Sequence, residues 1–504
     1  MIKAIDYFLD RITMYRLVLY YLIVVLLVAV GLGQFNLLPY TPLSIIESSL
    51  LLTALCLITN RIFAWTFKAP VNVESAYITA LIIACIIPPL RSIHDIPLLF
   101  WAGVWAMASK YIFAIRNKHI FNPVAIAVVL TGMWLDMPAI WWVGTTHMAW
   151  VILLGGLLVV RKIRRADLVF AFFVTALLTT AYFSIAHGTD LITSESNILL
   201  KSSLLFFAFV MLTEPLTTPP TTGLQIAYGG LVGFLFSPYL HVGTIYSTPE
   251  LALVVGNVFS YLVSPKFKER LSLIGVRKIS ADVAAFDFQM SRPISYKPGQ
   301  YMEFTLPHKG PDARGNRRYF TLASSPTEAT LQLGIRFSAN GSSFKHEFLS
   351  LTPGSTLMAG QLAGDFVLPD NKTQKLAFIA GGIGVTPFRS MLKYLIDTNQ
   401  ARNISVLYSN KSADEIAYVD VFNEAQTKLG IRTQYILTET IPDGWQGRQG
   451  RLDAKMLQEE IPDFLERVFY ISGPQPMVAG VEQILHQLGV KQNQIKKDFF
   501  PGLA

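Results

Sequence analysis

Runs of about 16 to 22 apolar residues recur along this chain as far as roughly residue 264 and then stop. A run of that length can cross a bilayer as a helix, the element that pairs its backbone groups within itself. The stop therefore marks a change of solvent, with a membrane part before it and a water-facing part after it. Composition agrees: 52% of the 504 residues are hydrophobic and 15% charged, too apolar an average for a soluble protein of this length.

Ten spans are predicted, near residues 17–33, 43–59, 74–90, 96–115, 122–135, 147–160, 167–186, 199–213, 223–238 and 249–264. The stretch MIKAIDYFLDRITMYR leads into an apolar run too long for a signal-peptide core and is expected to remain as part of the first span. With the N-terminus inside, the inner connections hold Arg61 and Lys68, Arg116 and Lys118, Arg161, Lys162, Arg164 and Arg165, then Lys266, Lys268 and Arg270. The outer ones hold little that is basic beyond Arg91 and Lys201. The positive-inside rule then places the soluble half in the cytoplasm, below an inner membrane. The net charge of +8 is read as this orientation signal, with the lipid bilayer as partner and no nucleic acid. Cys56 and Cys85 both lie in apolar runs, so one chain cannot build a disulfide framework or a four-cysteine metal site, and no metal ligands are assigned.

Two proline breaks interrupt the spans at their inner edges, HIFNPVAIAVV (119–129) and LTEPLTTPPTT (212–222). Pro123 behind Asn122 and Pro215 behind Glu214 are either ordinary helix starts or broken ends that line a cofactor or ion site. Glu47, Lys110 and Asn257 are further polar residues in or near apolar runs, each costly there unless paired. His94, His147, His187 and His241 fall near outer loops and His119 at an inner edge. No two stack across the middle of adjacent spans, which argues against a transmembrane haem relay.

The order KHIFNPVAIAVVL, LLGGLLVVRKIRRADL and FVMLTEPLTTPPTTGLQIAYGGLVG resembles a membrane family, over most of residues 15–264. That family includes the RnfD protein of the Rnf electron-transport complex and the NqrB protein of the sodium-pumping NADH:quinone reductase. The resemblance implies a ten-span electron-transfer domain that binds a flavin. Relatives tether FMN through the threonine of a Ser-Gly-Ala-Thr motif between the fifth and sixth spans. Here WWVGTTHM (141–148) keeps Gly144 and Thr146, while Val143 and Thr145 replace the serine and alanine, which counts against covalent attachment. A second flavin held without a bond, FMN or riboflavin, is the alternative.

Beyond the basic stretch SPKFKERLSLIG, short alternating segments such as YKPGQYMEFTLP (296–307) and ATLQLGIRFSANGSSF (329–344) predict an antiparallel β-barrel. From about residue 373, apolar strands alternate with glycine turns and helices, the pattern of an α/β parallel sheet that binds nucleotides. The expected fold is thus a multi-domain membrane protein. An all-α bundle at 1–264, a linker at 265–275, a barrel at 276–370 and a parallel-sheet domain at 371–504 make it up.

RRYFTLASSP (317–326) supplies in one extended stretch what a flavin dinucleotide needs: a cation for the pyrophosphate, a flat side chain for the ring and a hydroxyl for its N5 edge. Strand alternation lets Arg318 and Phe320 point together while Thr321 turns the other way. GSSF (341–344) offers Gly341, Ser342 and Ser343 at a turn able to hold a second phosphate oxygen. GGIGVTP (381–387) follows an apolar strand and opens a helix, with Gly382 and Gly384 permitting close approach of a second dinucleotide. SGPQPM (472–477) repeats the strand-end glycine turn at the same sheet edge.

In this order the motifs resemble the ferredoxin–NADP reductase superfamily, over roughly residues 272–504. The family's Arg-x-Tyr-Ser stands as Arg318-Tyr319-Phe320-Thr321, which implies Arg318 on the FAD pyrophosphate, Phe320 stacked on the ring, Thr321 near N5 and Tyr319 in the cofactor-binding stretch. Its Gly-x-Gly-x-x-Pro stands as residues 382–387, which implies that Gly382, Gly384, Thr386 and Pro387 face the NAD(P)H pyrophosphate. Its Cys-Gly-Pro becomes Ser472-Gly473-Pro474, so Ser472 stands by the nicotinamide, and the exchange bears on hydride-transfer efficiency. The tail KKDFFPGLA is similar to the family's aromatic tail, with Phe499 or Phe500 over the flavin; packing of the tail on its own sheet is the alternative. Lys411, in YSNKSADEIAY, stands where a 2′-phosphate would be met, yet a lone lysine on a solvated turn favours NADH.

The expected function is that of an NAD(P)H-dependent, FAD-containing oxidoreductase. It would pass electrons from cytoplasmic NAD(P)H through FAD into the membrane domain, and on to a quinone or an acceptor protein across the membrane. The alternative is a redox-driven sodium or proton transporter, with Glu47 and Glu214 as candidate ion ligands.

Overall fold

The computed structural model describes residues 12–67, 73–115, 118–265, 268–310, 316–338 and 341–499, with a few isolated positions besides. Lys68, Arg116, Lys266 and Phe500 lie outside the described residues. The chain divides into two units, Met1–Phe267 and Lys268–Ala504.

The first unit is helical. Its helices are α1 (Met14–Gln34), α2 (Pro42–Thr66), α3 (Val73–Ile86), α4 (Ile96–Ile112), α5 (Pro123–Leu135), α6 (Thr146–Ile163), α7 (Ala166–Ala186), α8 (Leu191–Leu200), α9 (Leu204–Phe206), α10 (Thr222–Leu235) and α11 (Pro249–Val263). A π-helical stretch, Phe207–Met211, continues α9. Each of the ten apolar segments holds a helix, but only α1, α2, α6 and α7 are long and apolar enough to cross a membrane by themselves. The bent pair of α8 with α9 and its π stretch makes a fifth if counted as one span. Prolines set the shorter lengths: Pro88 and Pro89 follow α3, while Pro123 and Pro249 open α5 and α11 behind the caps Asn122 and Thr248.

One element order occurs twice. α4 leads into a hairpin of two-residue strands, β1 (Ala114–Ile115) and β2 (Lys118–His119), and then into proline-started α5. α10 leads into a second such hairpin, β3 (His241–Val242) and β4 (Ile245–Tyr246), and then into proline-started α11. The two closing helices, α5 and α11, pack on each other.

A polar network crosses that contact. The side-chain oxygen of Asn122 caps α5 by accepting from the amides of Val124 at 3.0 Å and Ala125 at 3.1 Å. Its Nδ2 donates to Glu214 Oε2 at 2.9 Å, and its backbone N–H donates to Asn257 Oδ1 at 2.7 Å. Asn257 Nδ2 donates in turn to the Tyr228 hydroxyl at 3.1 Å, Thr217 Oγ1 donates to Glu214 Oε2 at 3.1 Å, and His119 Nε2 stands 3.6 Å from Glu214 Oε1. Pro123 is therefore both a helix start and part of a polar junction. Lys110 is paired as well, donating to Ser75 Oγ and Thr79 Oγ1 on α3, each at 2.9 Å. Glu47 is exposed on α2 and has no hydrogen bond or ion pair among the described residues, so the two candidate ion ligands are not joined in one network.

The second unit holds two six-stranded sheets. The antiparallel one comprises β5 (Glu269–Lys278), β6 (Val283–Met290), β7 (Tyr301–Thr305), β8 (Arg317–Thr321), β9 (Leu331–Arg336) and β10 (Thr356–Ala363), with helix α12 (Ser343–Leu349) beside it. Its order is β8-β7-β10-β5-β6-β9, with no ladder between β8 and β9 among the described residues. The stretch 265–275, expected as a linker, already holds the first half of β5. Leu271 and Leu273 are buried there between more exposed polar neighbours, a strand alternation that the run of charges conceals.

The parallel sheet comprises β11 (Leu376–Gly381), β12 (Ile404–Asn410), β13 (Thr433–Leu437), β14 (Arg448–Gln449), β15 (Val468–Gly473) and β16 (Ile495–Phe499). Its helices are α13 (Thr386–Asp397), α14 (Val419–Leu429), α15 (Ala454–Glu460) and α16 (Gln475–Gln487). The order β14-β13-β12-β11-β15-β16 means that the chain winds one way from β11 and then crosses back to β15. The crevice at the carboxyl ends of β11 and its neighbours is where open α/β sheets bind ligands.

Asn257→Leu removes the acceptor of the Asn122 N–H and the donor to Tyr228 at nearly constant volume. The expected loss is about 1–3 kcal/mol, read as a lower thermal midpoint in detergent. Glu47→Gln, on an exposed surface, should shift stability by less than about 0.5 kcal/mol.

Candidate functional site

β8 pairs with β7 in a register that sets Arg318 opposite Phe304 and Phe320 opposite Met302. Alternation puts Arg318 and Phe320 on one face. The Arg318 guanidinium lies 5.1 Å from the Phe344 ring centre, and Phe320 packs 6.0 Å from both Phe344 and Phe348. Tyr319 points the other way, 48% exposed and edge-on to Tyr301, so the structure does not bring it to the Arg318 group.

Arg318 Nη2 is 3.1 Å from Asp312 Oδ1, and the Asp312 amide donates to Ser343 Oγ at 2.9 Å. Asp312 thus bridges Arg318 to the start of α12. Ser342 caps that helix by accepting from the Lys345 amide at 3.3 Å, and Gly341 closes the turn before it through the Ser338 carbonyl at 2.9 Å. Arg318, Phe320, Ser342 and Ser343 therefore converge on one end of α12. Thr321, at the end of β8, is 3% exposed, and its hydroxyl has no hydrogen-bond partner.

The second group lies on the parallel sheet. Gly382, with φ of +52°, turns the chain out of β11 into a short 3-10 turn, from which Thr386 and Pro387 open α13. Thr386 Oγ1 donates back to the Ile383 carbonyl at 3.2 Å. At Gly384 an added Cβ would stand 2.5 Å from the Ser472 carbonyl oxygen and 2.6 Å from Gly473 Cα, so only a glycine lets the two strand-end turns touch. Ser472 is fully buried with its hydroxyl unpartnered, and Pro474 leads into α16. In β16 the backbone of Phe499 stands in register with Gly473, which brings the tail to this edge. A cleft of about 420 Å³ opens here, lined by Gly381, Gly382, Asn410, Lys411, Pro474 and Met477 among others.

The seam between the sheets was not read from the sequence. Arg389, on α13 and only 6% exposed, forks onto Glu328, with Nη2 at 2.9 Å from Oε1 and Nη1 bonded to Oε2. Its Nη1 also donates to the Ala323 carbonyl at 3.0 Å, and Ser390 Oγ donates to the Ser324 carbonyl at 2.6 Å. An added Cβ on Gly334 would stand 2.5 Å from the Tyr418 hydroxyl and 2.9 Å from Thr386 Cγ2, so β9 lies directly on this junction. Burial holds the Tyr418 phenol well above its ordinary pKa, with the Arg389 charge opposing. The donor set fits a flavin dinucleotide at β8 and α12: a cation, aromatic rings, a helix cap and an unpartnered buried hydroxyl.

Residues 130–271 match the model of the NQR2, RnfD, RnfE family, and residues 378–483 match that of the oxidoreductase NAD-binding domain. The chain carries both likenesses. Its N-terminal half is RnfD- and NQR2-like and its C-terminal half ferredoxin–NADP reductase-like. The glycine betaine monooxygenase reductase subunit of Pseudomonas aeruginosa (strain UCBPP-PA14) is 28% identical over 226 residues, 44% of this chain and 60% of that protein. The flavohemoprotein of Bacillus thuringiensis subsp. konkukian (strain 97-27) is 30% identical over 222 residues, 41% of this chain and 53% of that one. The NADH-cytochrome b5 reductase 1 of Ajellomyces capsulatus (strain NAm1 / WU24) is 25% identical over 252 residues, 47% and 81% of the two chains. The first of these is thus matched over less than two thirds of its length. The apolar helices and the RnfD-like likeness make the first unit a membrane domain.

Arg389→Met strands the buried Glu328 carboxylate and frees the Ala323 carbonyl. It should cost about 2–3 kcal/mol, measured as a lower midpoint for unfolding of the second unit in the intact chain. Lys428→Met, which removes an exposed ion pair to Glu424, should change stability by less than about 0.5 kcal/mol.

Proposed function

We propose that this chain is a membrane flavoprotein oxidoreductase. It takes electrons from NAD(P)H at the parallel sheet, through FAD held by β8 and α12, and hands them to the membrane unit. The observation that carries the reading is a pair of buried, partnerless hydroxyls, Thr321 at the end of β8 and Ser472 at the end of β15, in one unit. Buried polar groups are seldom left unpaired unless a ligand or water completes them.

FAD, when bound, supplies the exchange of a hydride on one side for single electrons on the other. The chain's own residues do the rest. Arg318 neutralises the pyrophosphate, the Phe320 ring packs against the isoalloxazine, and Thr321 offers its hydroxyl to the N5 edge. Gly382 and Gly384 let the nicotinamide dinucleotide approach the backbone, and Ser472 lies beside the nicotinamide. The Arg389–Glu328 clamp keeps the two sheets at fixed separation, on which hydride transfer depends steeply. In this reading the antiparallel sheet is the barrel of a reductase. The helical unit spans an inner membrane ten times with the second unit in the cytoplasm, and a quinone or an acceptor protein across the membrane receives the electrons. A second flavin, FMN or riboflavin, belongs to the membrane unit; the unpartnered Thr145 hydroxyl and the tight packing of Gly144 on Ser202 lie where relatives bind one.

The purified protein should contain FAD that NADH or NADPH bleaches without oxygen, and extraction should yield more than one flavin per chain. Arg318→Ala should weaken FAD binding at least tenfold, by about 1.5–3 kcal/mol, with the helical unit still folded. Full flavin retention in that variant would refute the assignment of Arg318.

The Glu214 network favours a second reading, coupling of electron flow to sodium or proton movement, because a carboxylate among asparagines and a tyrosine in an apolar bundle is the chemistry of an ion path. Proteoliposomes oxidising NADH should then build an ion gradient that Glu214→Gln abolishes while flavin reduction persists. A gradient unchanged by the substitution, or none in the unmodified protein, would reject coupling at this site.

A further inference from the structure

We infer that the nucleotide cleft is built to take NADH and refuse NADPH, and that Glu439 is the residue that decides. This rests on the oxidoreductase reading above and names the nucleotide for that same site. Arg336, Lys411 and Arg451 are the cations that line the cleft. Arg336 is occupied by carboxylates, paired to Asp282 and with Nη2 3.0 Å from Glu415 Oε2. Lys411 follows the last residue of β12, and its Nζ is 3.0 Å from Glu439 Oε1.

That second pair is set by the backbone. The amides of Glu439 and Thr440 donate to the Lys411 carbonyl at 3.0 and 2.9 Å, which ties the loop after β13 to the end of β12 and holds Glu439 beside the lysine. Arg451 has no ion-pair partner among the described residues and is left for the pyrophosphate that both nucleotides carry. A 2′-phosphate would bring up to about two more negative charges to a lysine already neutralised, with a carboxylate in contact. A free 2′-hydroxyl can instead donate to that carboxylate.

Asn410 adds an independent sign. It lines the cleft, is 4% exposed, and neither atom of its amide has a hydrogen-bond partner, although it lies beside the Tyr408 phenol. An amide offers a donor and an acceptor together. The hydroxyls and ring nitrogens of an adenosine satisfy both, whereas a phosphate dianion accepts only and would leave Oδ1 unpaired.

The test uses the full chain in detergent, with ferricyanide as acceptor, and measures kcat and KM for NADH and NADPH. Calorimetry with 5′-ADP and 2′,5′-ADP gives a readout that does not depend on flavin. The expected kcat/KM for NADH exceeds that for NADPH at least about tenfold. Glu439→Gln should lower KM for NADPH and tighten 2′,5′-ADP binding about tenfold, with kcat and the NADH values within about twofold, and the gain should shrink as salt rises. Preference of the unmodified protein for NADPH, or a Glu439→Gln variant no better with NADPH or 2′,5′-ADP, overturns this inference and leaves the oxidoreductase reading standing. Oxidation of neither nucleotide overturns that reading and this inference with it.

Discussion

Two glycine turns at neighbouring strand ends touch because neither carries a side chain at the point of contact. A methyl group on Gly384 would run into the backbone of Ser472 and Gly473, so the ends of β11 and β15 could not sit side by side. Their contact fixes the crossing point of the parallel sheet, and with it the cleft. Everything assigned to the second unit hangs from there. The helix that Pro387 opens carries Arg389 to the seam, and the seam holds β8 and its cofactor residues at the cleft's side.

The seam itself follows a different logic. Arg389 is buried among polar atoms of the other sheet and answers each of them, with two oxygens of Glu328 and the Ala323 carbonyl filling one guanidinium fork. Such a group adds little net stability over a well-packed apolar contact, but it penalises every other arrangement of the two sheets. Rigid separation suits a reaction in which a hydride moves between two bound rings. The helical unit shows the same economy: the polar groups freed at Asn122 and Pro123 are answered by Asn257 and Glu214 from other helices.

How much of this could be read in advance follows from the distance between cooperating residues. Arg318, Phe320 and Thr321 are neighbours on one strand, and Gly382, Gly384 and Pro387 lie within one turn, so spacing alone displayed them. Tyr319 was misplaced with them because proximity in sequence puts the next side chain on the opposite face of a strand. Arg389 and Glu328, or Lys411 and Glu439, meet only after the sheets form, and no local pattern announces such pairs. Asn410 had one usable sign, a polar residue ending an apolar strand. In the membrane unit, hydropathy located every helix but could not give the lengths, which prolines and two-residue hairpins trim. The repeated helix–hairpin–helix order left only the faint echo of Asn122-Pro123 in Thr248-Pro249.

The π-helical stretch Phe207–Met211 has a consequence for how this chain can vary. A π turn is an α-helix that has taken in one extra residue. Deleting any one residue there would let ordinary α geometry run through and swing all that follows by about 100° around the axis. Glu214, just beyond, would leave Asn122, so this short segment should resist length changes far more strictly than it resists exchange of one apolar side chain for another.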